Sequence, residues 1–163
     1  MIQAQKRPTD WRIPFLLGDM YLLNANKPAA LASYQRALSL NPDDVNLIIN
    51  LSNRFNRAGM KDESEKILLA TYAKDPRNIL IANQLAWLYI ETYNTPERAK
   101  NLVDFMRQGS KESSVLDTVG WYYYKIRDYR SASYYLTEAA RQAPESKIIK
   151  EHLALTLKQL NTK

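Results

Sequence analysis

Residues 11–44 read WRIPFLLGDMYLLNANKPAALASYQRALSLNPDD, and this stretch decides the fold because its pattern returns further along the chain. Residues 113–146 read SSVLDTVGWYYYKIRDYRSASYYLTEAARQAPES. Glycine, tyrosine, two alanines and proline stand at the same places in both stretches, as Gly18, Tyr21, Ala30, Ala37 and Pro42 match Gly120, Tyr123, Ala132, Ala139 and Pro144. Matching positions lie three periods of 34 residues apart, so an internal repeat organises the chain.

The prolines give the register of this repeat. Pro8, Pro42 and Pro76 are 34 residues apart, and Pro144 lies two periods beyond Pro76. With Trp11 as position 1, the repeats are residues 11–44, 45–78, 79–112 and 113–146.

The third repeat departs from the pattern. It keeps Ala86 and Tyr89 in place, but Ala99 and Val103 arrive one residue late. We therefore predict one extra residue in the turn at residues 92–95, between the two helices of that repeat.

A large residue, Leu-Gly, an aromatic residue, alanine and a closing proline at these spacings resemble the tetratricopeptide repeat. The resemblance implies an all-α fold, a right-handed α-solenoid of antiparallel helix pairs with four repeats. Residues 147–163 continue the pattern, and we expect a C-terminal capping helix and tail there. Pro8 stands where an earlier repeat would close, so residues 1–10 are expected to be a remnant of a preceding repeat, or else a short N-terminal arm.

The resemblance also implies where a ligand binds. In this family the first helix of each repeat lines a concave groove with its positions 2, 5, 6, 9, 12 and 13. The predicted peptide-binding residues at those positions are Phe15, Asp19, Asn46, Asn50, Asn53, Asn83, Trp87, Ile90, Trp121 and Tyr124.

Two groups among these residues carry a chemical argument. Asn46, Asn50 and Asn53 are spaced four and three apart and share one helical stripe, where amides can grip the backbone of an extended peptide. Trp87 and Trp121 stand at position 9 of consecutive repeats, and tryptophans are common binding hot spots. The alternatives are a merely polar wall for the asparagines and packing in the core for the tryptophans.

The composition argues against an enzyme. The chain has no cysteine and a single histidine, His152, which excludes Cys–His chemistry and multi-histidine metal sites. We expect His152 to be a solvated surface residue. No phosphate-binding loop or nucleotide fingerprint occurs, so we predict no catalytic residues, no cofactor and no metal.

Protein or extended-peptide partners are therefore expected. The formal net charge of +6 raises the question of nucleic acid, but the basic residues are spread along the chain, and no nucleic acid is predicted. RNA binding through basic and aromatic residues stays as a third hypothesis. No apolar run in the sequence is long enough to span a membrane. The ends of the repeat array would allow self-association.

One subtype of the family is excluded by its residues. Repeat domains that clamp the acidic C-terminus of heat-shock chaperones need lysine, arginine and asparagine at five set positions. Those positions hold Phe15, Asp19, Asn50, Leu80 and Gln84 here, and only the asparagine agrees.

The last third of the chain suggests a more specific system. Val115-Leu-Asp-Thr-Val-Gly-Trp121, Asp128-Tyr and His152-Leu-Ala-Leu resemble the C-terminal repeats of bacterial envelope proteins. These include large repeat lipoproteins linked to exosortase and exopolysaccharide export. The resemblance implies a non-catalytic protein-binding scaffold in an envelope or export system, with a periplasmic or outer-membrane-anchored parent favoured over a cytoplasmic one. The alternative is a regulatory or substrate-presenting repeat domain of a larger enzyme such as a glycosyltransferase.

Overall fold

The computed structural model describes residues 10–162, and every regular element in that range is helical. The expected remnant or arm at residues 1–10 lies outside the described residues, apart from Asp10. The described chain forms two compact blocks, which we call the first block (up to Leu68) and the second block (from Leu69). The predicted all-α fold of paired helices is confirmed.

The first block contains three helices and the start of a fourth. They are α1 (Arg12–Leu23), α2 (Lys27–Leu40), α3 (Val45–Arg57) and α4 (Lys61–Lys74). Helices α1 and α2 pack together as a pair, and α3 packs on α2. The core of this block consists of Ala30, Tyr34, Leu47, Leu51 and Phe55, with Trp11 and Phe15 packed against it.

The second block contains the remaining elements. In chain order these are α5 (Ile79–Trp87), a π-helical turn (Leu88–Thr92), a 3-10 turn (Pro96–Ala99), α6 (Lys100–Gly109), α7 (Ser113–Lys125), α8 (Tyr129–Gln142) and α9 (Lys147–Leu160). Helices α5 and α6 form a pair, and both contact α7. Helix α7 pairs with α8, and α9 packs on both.

Short polar side chains begin many of the helices at fixed places in the repeat. Asn26 and Asp128 precede second helices, whereas Asp44, Asn78 and Ser146 close one repeat and precede the first helix of the next. Each of the five accepts a hydrogen bond from the backbone N–H three residues further on. Such a cap satisfies a free donor and stabilises a helix by about 1 kcal/mol.

The extra residue of the third repeat enters one turn earlier than predicted. Leu88–Thr92 is a π-helical turn, which holds one more residue than an α-helical turn. The predicted insertion therefore exists, but its predicted place at residues 92–95 is wrong, because the end of the first helix widens before the turn is reached. Ala99 and Val103 are buried one residue late, as expected.

The two helices of a pair approach most closely at position 8 of the repeat. A Cβ on Gly120 would lie 2.6 Å from Cγ of Leu136 and 3.2 Å from its backbone nitrogen, and one on Gly18 would overlap the ring of Tyr34. The other repeats place the small residues Ser52 and Ala86 here, both fully buried. Position 8 therefore has to be small.

The turn between paired helices uses a left-handed backbone conformation in all four repeats. Ala25, Gly59 and Arg127 at position 15 have φ of 56°, 69° and 65°, and Asn94, one residue later in its repeat, has 54°. Glycine and asparagine adopt this conformation readily, but alanine and arginine do not. The sequence did not predict this shared turn because two of its four residues give no signal for it.

We expect Gly120→Leu to lower the free energy of unfolding by about 1–3 kcal/mol, because the added side chain forces α7 and α8 apart. Urea denaturation measures the loss. Thr137→Leu, at an exposed position of α8, is the control and should cost little. A Gly120→Leu variant as stable as the parent would show that the repeat register is wrong.

We expect Gly59→Ala to lower the free energy of unfolding by about 1 kcal/mol, because alanine is strained in the left-handed conformation. A new Cβ meets open space there, with Nζ of Lys27 3.8 Å away, so crowding plays no part. Arg127→Gly should give a smaller change of opposite sign, since relief of strain is partly offset by a more flexible unfolded chain. Thermal unfolding of both variants measures these shifts, and equal signs would contradict the turn assignment.

Candidate functional site

An open stripe of asparagines lies on α3. Asn46, Asn50 and Asn53 are all exposed, and we call them the asparagine stripe. Their orientation follows from Leu47 and Leu51, which are buried on another face of the helix. None of the three side chains hydrogen-bonds to another residue of the described chain. Their donors and acceptors are therefore available to a ligand.

A rigid charged pair joins α1 to α3 beside this stripe. The guanidinium of Arg54 binds the carboxylate of Asp19, with Nη2 3.0 Å from Oδ2, and stands 4.3 Å from the centre of the Phe15 ring. The hydroxyl of Tyr34 donates to Oδ1 of Asp19 at 2.6 Å. Burial raises the pKa of Asp19, but the hydrogen bonds from Arg54 and Tyr34 outweigh it and hold that pKa below its usual value. Asp19 is thus an ionised, fixed side chain.

A depression of about 500 Å³ opens next to this pair, within the first block. Leu22, Leu23 and Ala58 give it an apolar surface, and Leu23 is 87% exposed. Lys27 and Arg57 stand at its edge without an ion pair to any described residue. The depression therefore combines apolar area with positive charge.

Three aromatic rings are stacked in the second block. The Trp121 ring lies parallel to the ring of Tyr124, with centres 4.5 Å apart, and to that of His152, at 4.0 Å. The ring of Trp87 is tilted against that of His152, with ring centres 5.9 Å apart. Helices α5, α7 and α9 thus meet through aromatic contacts, which add to the free energy of plain area burial.

Polar groups fix this stack in place. Trp121 donates its ring N–H to Oε1 of Glu91 at 2.6 Å, and Nζ of Lys125 lies 2.8 Å from the same oxygen. The ring N–H at Nδ1 of His152 donates to Oδ1 of Asp117 at 2.8 Å. The polar atoms that burial would otherwise leave unpaired are therefore satisfied.

The two tryptophans of the predicted site differ in their exposure to solvent. Trp121 is only 7% exposed, so the packing alternative holds for this residue. Trp87 keeps part of its surface open, as does Tyr124. Asn83 is also buried, and its Oδ1 has no hydrogen-bond partner among the described residues. The predicted site residues on α5 and α7 are therefore less exposed to solvent than the three residues of the asparagine stripe.

Ile90 lies in the core, and the prediction that it lines a groove is wrong. Its side chain is fully buried. The reason is the π-helical turn, which moves each later residue of the helix by one place. Ile90 takes the inward direction that Phe55 has in the second repeat, and Glu91 takes the direction predicted for Ile90.

The prediction of a solvated His152 is also wrong. His152 is 8% exposed, and its ring is held by Asp117 and Trp121. Position 6 of a first helix faces solvent only when no large side chain from the preceding repeat covers it. Here the ring of Trp121 covers His152. A tryptophan at position 9 followed one repeat later by histidine was the available signal.

Arg54 and Glu91 are the site residues that the prediction missed. Arg54 stands at position 10, outside the positions that the family resemblance assigns to a ligand. Arg54 follows Asn50 by four residues, and this spacing was the one indication in the sequence that its side chain lies near the asparagine stripe. Glu91 could be found only by locating the π-helical turn.

Residues 10–162 contain neither a candidate metal site nor a candidate membrane span. No group of three or more histidine, aspartate and glutamate side chains in that range could hold a metal ion. None of the helices described there is long and apolar enough to cross a membrane.

Comparison with known proteins places these features in a wider group. No protein-family model matches this chain. A TPR repeat-containing protein of Pseudomonas aeruginosa is 23% identical over 149 residues, which make up 90% of this chain and 25% of that protein. The chain thus spans about a quarter of the length of this curated relative.

Solved structures share the fold at low sequence identity. A tetratricopeptide repeat protein of Parabacteroides merdae is 20% identical, with a TM-score of 0.69 over 93% of this chain and 59% of its own. A thermophilic TPR protein of Thermus thermophilus is also 20% identical, with a TM-score of 0.70 over 92% and 82%. PilW, a type IV pilus biogenesis factor, is 17% identical, with a TM-score of 0.71 over 90% and 68%.

The relative and the solved structures are repeat proteins, and at these identities the similarity shows a shared fold. The repeat motif, the paired helices with small residues at position 8 and the similarities to solved structures agree with one another. Together they show that the chain has the fold of tetratricopeptide-repeat proteins.

Proposed function

We propose that this chain binds protein partners by holding an extended peptide segment on the asparagine stripe of α3. The observation that carries the proposal is the availability of three amide side chains, Asn46, Asn50 and Asn53, on one exposed face. Exposed polar residues are common, but three amides in line without a partner in the described chain form a repeating set of donors and acceptors.

An amide side chain suits the backbone of an extended peptide. Each asparagine offers one acceptor and two donors, and a peptide backbone presents one donor and one acceptor per residue. Amides at positions i, i+4 and i+7 follow one line along a helix. Such contacts do not read the peptide's side chains, so they support binding of varied sequences with modest specificity.

The residues next to the stripe add a charged pair and an apolar surface, which amide side chains do not provide. The pair of Arg54 with Asp19 is held by Tyr34 and Phe15, so little side-chain entropy is lost when a ligand packs on it. The depression with Leu22 and Leu23 can take an apolar side chain of the peptide. Backbone recognition with one apolar anchor is the binding mode that this arrangement favours.

We further propose that the partner belongs to a bacterial envelope, export or assembly system. The support is the resemblance of the last third of the chain to envelope lipoproteins, together with the fold shared with PilW, which is a pilus biogenesis factor. The parent protein would then be periplasmic or anchored in the outer membrane. A regulatory repeat domain of a larger enzyme remains the second hypothesis, and a catalytic domain encoded in the same gene would favour it.

We expect the triple variant Asn46→Ala, Asn50→Ala, Asn53→Ala to lose most binding to peptides selected from a random decapeptide display library. Loss of three hydrogen bonds at about 1 kcal/mol each predicts a roughly hundredfold weaker Kd. N-methylation of alternate backbone nitrogens in a selected peptide should weaken binding to the parent protein more than alanine substitution of most of its side chains. Fluorescence polarisation measures both effects.

The matched control removes three exposed amides elsewhere, in the variant Gln35→Ala, Asn101→Ala, Gln108→Ala, which should bind as the parent does. Peptides that bind the triple asparagine variant with unchanged Kd would contradict the proposal. Recovery of RNA in place of peptide, with affinity that falls steeply as salt rises, would favour the nucleic-acid hypothesis.

We expect Trp121→Ala to lower the free energy of unfolding by about 3–5 kcal/mol while peptide binding to the first block persists below the melting temperature. The reason is that Trp121 packs with Tyr124 and His152 and is 7% exposed. Trp87→Ala is the comparison and should cost less, since Trp87 is partly exposed. Normal stability of Trp121→Ala with lost peptide binding would instead make Trp121 a ligand contact.

A further inference from the structure

One face of α1 is apolar and open. Ile13, Leu17 and Met20 are 52%, 42% and 59% exposed, and we call them the α1 stripe. Their spacings of four and three residues place them in line along the helix. Leu16 and Leu23 nearby are exposed as well. A contiguous apolar surface of this kind marks an interaction site, whereas single exposed apolar residues do not.

Positions 3 and 7 are buried in the next repeat of the first block, whereas position 10 there is the partly exposed Arg54. The α1 stripe occupies positions 3, 7 and 10 of the first repeat, and Leu47 and Leu51 occupy positions 3 and 7 of the second. Both leucines are at most 1% exposed and pack with Ala30 and Tyr34 of α2. These positions therefore receive the second helix of the preceding repeat.

The second block repeats this arrangement independently. Positions 3, 7 and 10 of the fourth repeat are Val115, Val119 and Tyr122, and their exposure is 0%, 0% and 7%. Helix α7, which carries them, packs against α5 and α6 of the preceding repeat. Positions 3 and 7 are therefore interior positions of the repeat, and among the four repeats of the described chain only the first leaves them uncovered.

The last helix shows how an open face differs from an interior one. In α7, position 4 is Leu116, which is buried in the core with Ala139 of α8. In α9 the same position is Lys150, which is exposed. A charged residue there gives the uncovered face of α9 a polar surface. The α1 stripe has no such charge and keeps the apolar residues of an interior interface.

We propose that the α1 stripe is an interior repeat interface, covered by the second helix of a further tetratricopeptide repeat that precedes α1 in the same polypeptide. Pro8 supports this occupant, since it lies one period before Pro42, where a preceding repeat would close. The occupant presents a small residue and an aromatic ring, as Ala30 and Tyr34 do for Leu47 and Leu51.

The test adds the missing neighbour. Residues 1–10 are replaced by a copy of residues 11–44, so that the copied Pro42 falls at the place of Pro8 and the period is kept. The stripe of the copy itself is changed to charged residues to give a polar end. We expect the urea midpoint of the extended protein to rise, and the backbone amides of α1 to exchange with deuterium roughly tenfold more slowly or better.

A charged substitution in the α1 stripe provides the decisive comparison. Leu17→Lys should change the urea midpoint little in the original chain, where the side chain is open, but should remove most of the gain in the extended protein. Leu69→Lys is the matched control, because Leu69 is 43% exposed and lies outside the stripe. It should have the same small effect in both proteins.

Three results would overturn the proposal. The added repeat could leave midpoint and amide exchange unchanged, or it could remain unfolded by circular dichroism. The original chain could also sediment as a dimer that Leu17→Lys dissociates, which would make a second copy the occupant of the stripe.

Discussion

Each repeat depends on the close approach of its two helices at position 8. Where Gly18 or Gly120 stands, the partner side chain, Tyr34 or Leu136, fills the space that a Cβ would need. The second repeat meets the same constraint differently, since Ser52 shares a buried hydrogen bond of 2.8 Å with Ser64. The hydroxyl pair satisfies its own polar atoms, so close packing is kept without glycine. The rest of the repeat follows from this contact, because it fixes which faces of the helices are left to meet neighbouring repeats.

This constraint explains why the fold could be predicted from the sequence and part of the site could not. Glycine, alanine and proline at fixed spacing resemble the tetratricopeptide repeat, and the all-α fold was predicted from that resemblance. The exposure of the asparagine stripe also followed, because α3 has an uninterrupted helical period between Asp44 and Ala58. Burial of His152 and Trp121 depends instead on two side chains from successive repeats finding each other. A pattern within one repeat carries no information about such a contact.

The two blocks use equivalent positions for different purposes. Position 9 holds Asp19 and Asn53 in the first block and Trp121 in the second. Asn53 stays exposed because nothing large reaches it, whereas the indole of Trp121 is covered by His152 and tied to Glu91. A large ring at this position removes more apolar surface from water, so stacking is favoured over exposure. A position that stays exposed in one repeat can therefore become a packing contact in another.

The third repeat shows how such a change of purpose arises. Its π-helical turn adds one residue, which turns Ile90 into the core and brings Glu91 to the side where Trp121 and Lys125 lie. Without the insertion, Ile90 would stand where Glu91 now faces Trp121. The ring N–H of Trp121 would then have no acceptor on this helix. Burying an indole N–H without a partner costs about 1–3 kcal/mol. The insertion is therefore coupled to the tryptophan of the next repeat, because the extra residue supplies the carboxylate that makes burial of Trp121 favourable.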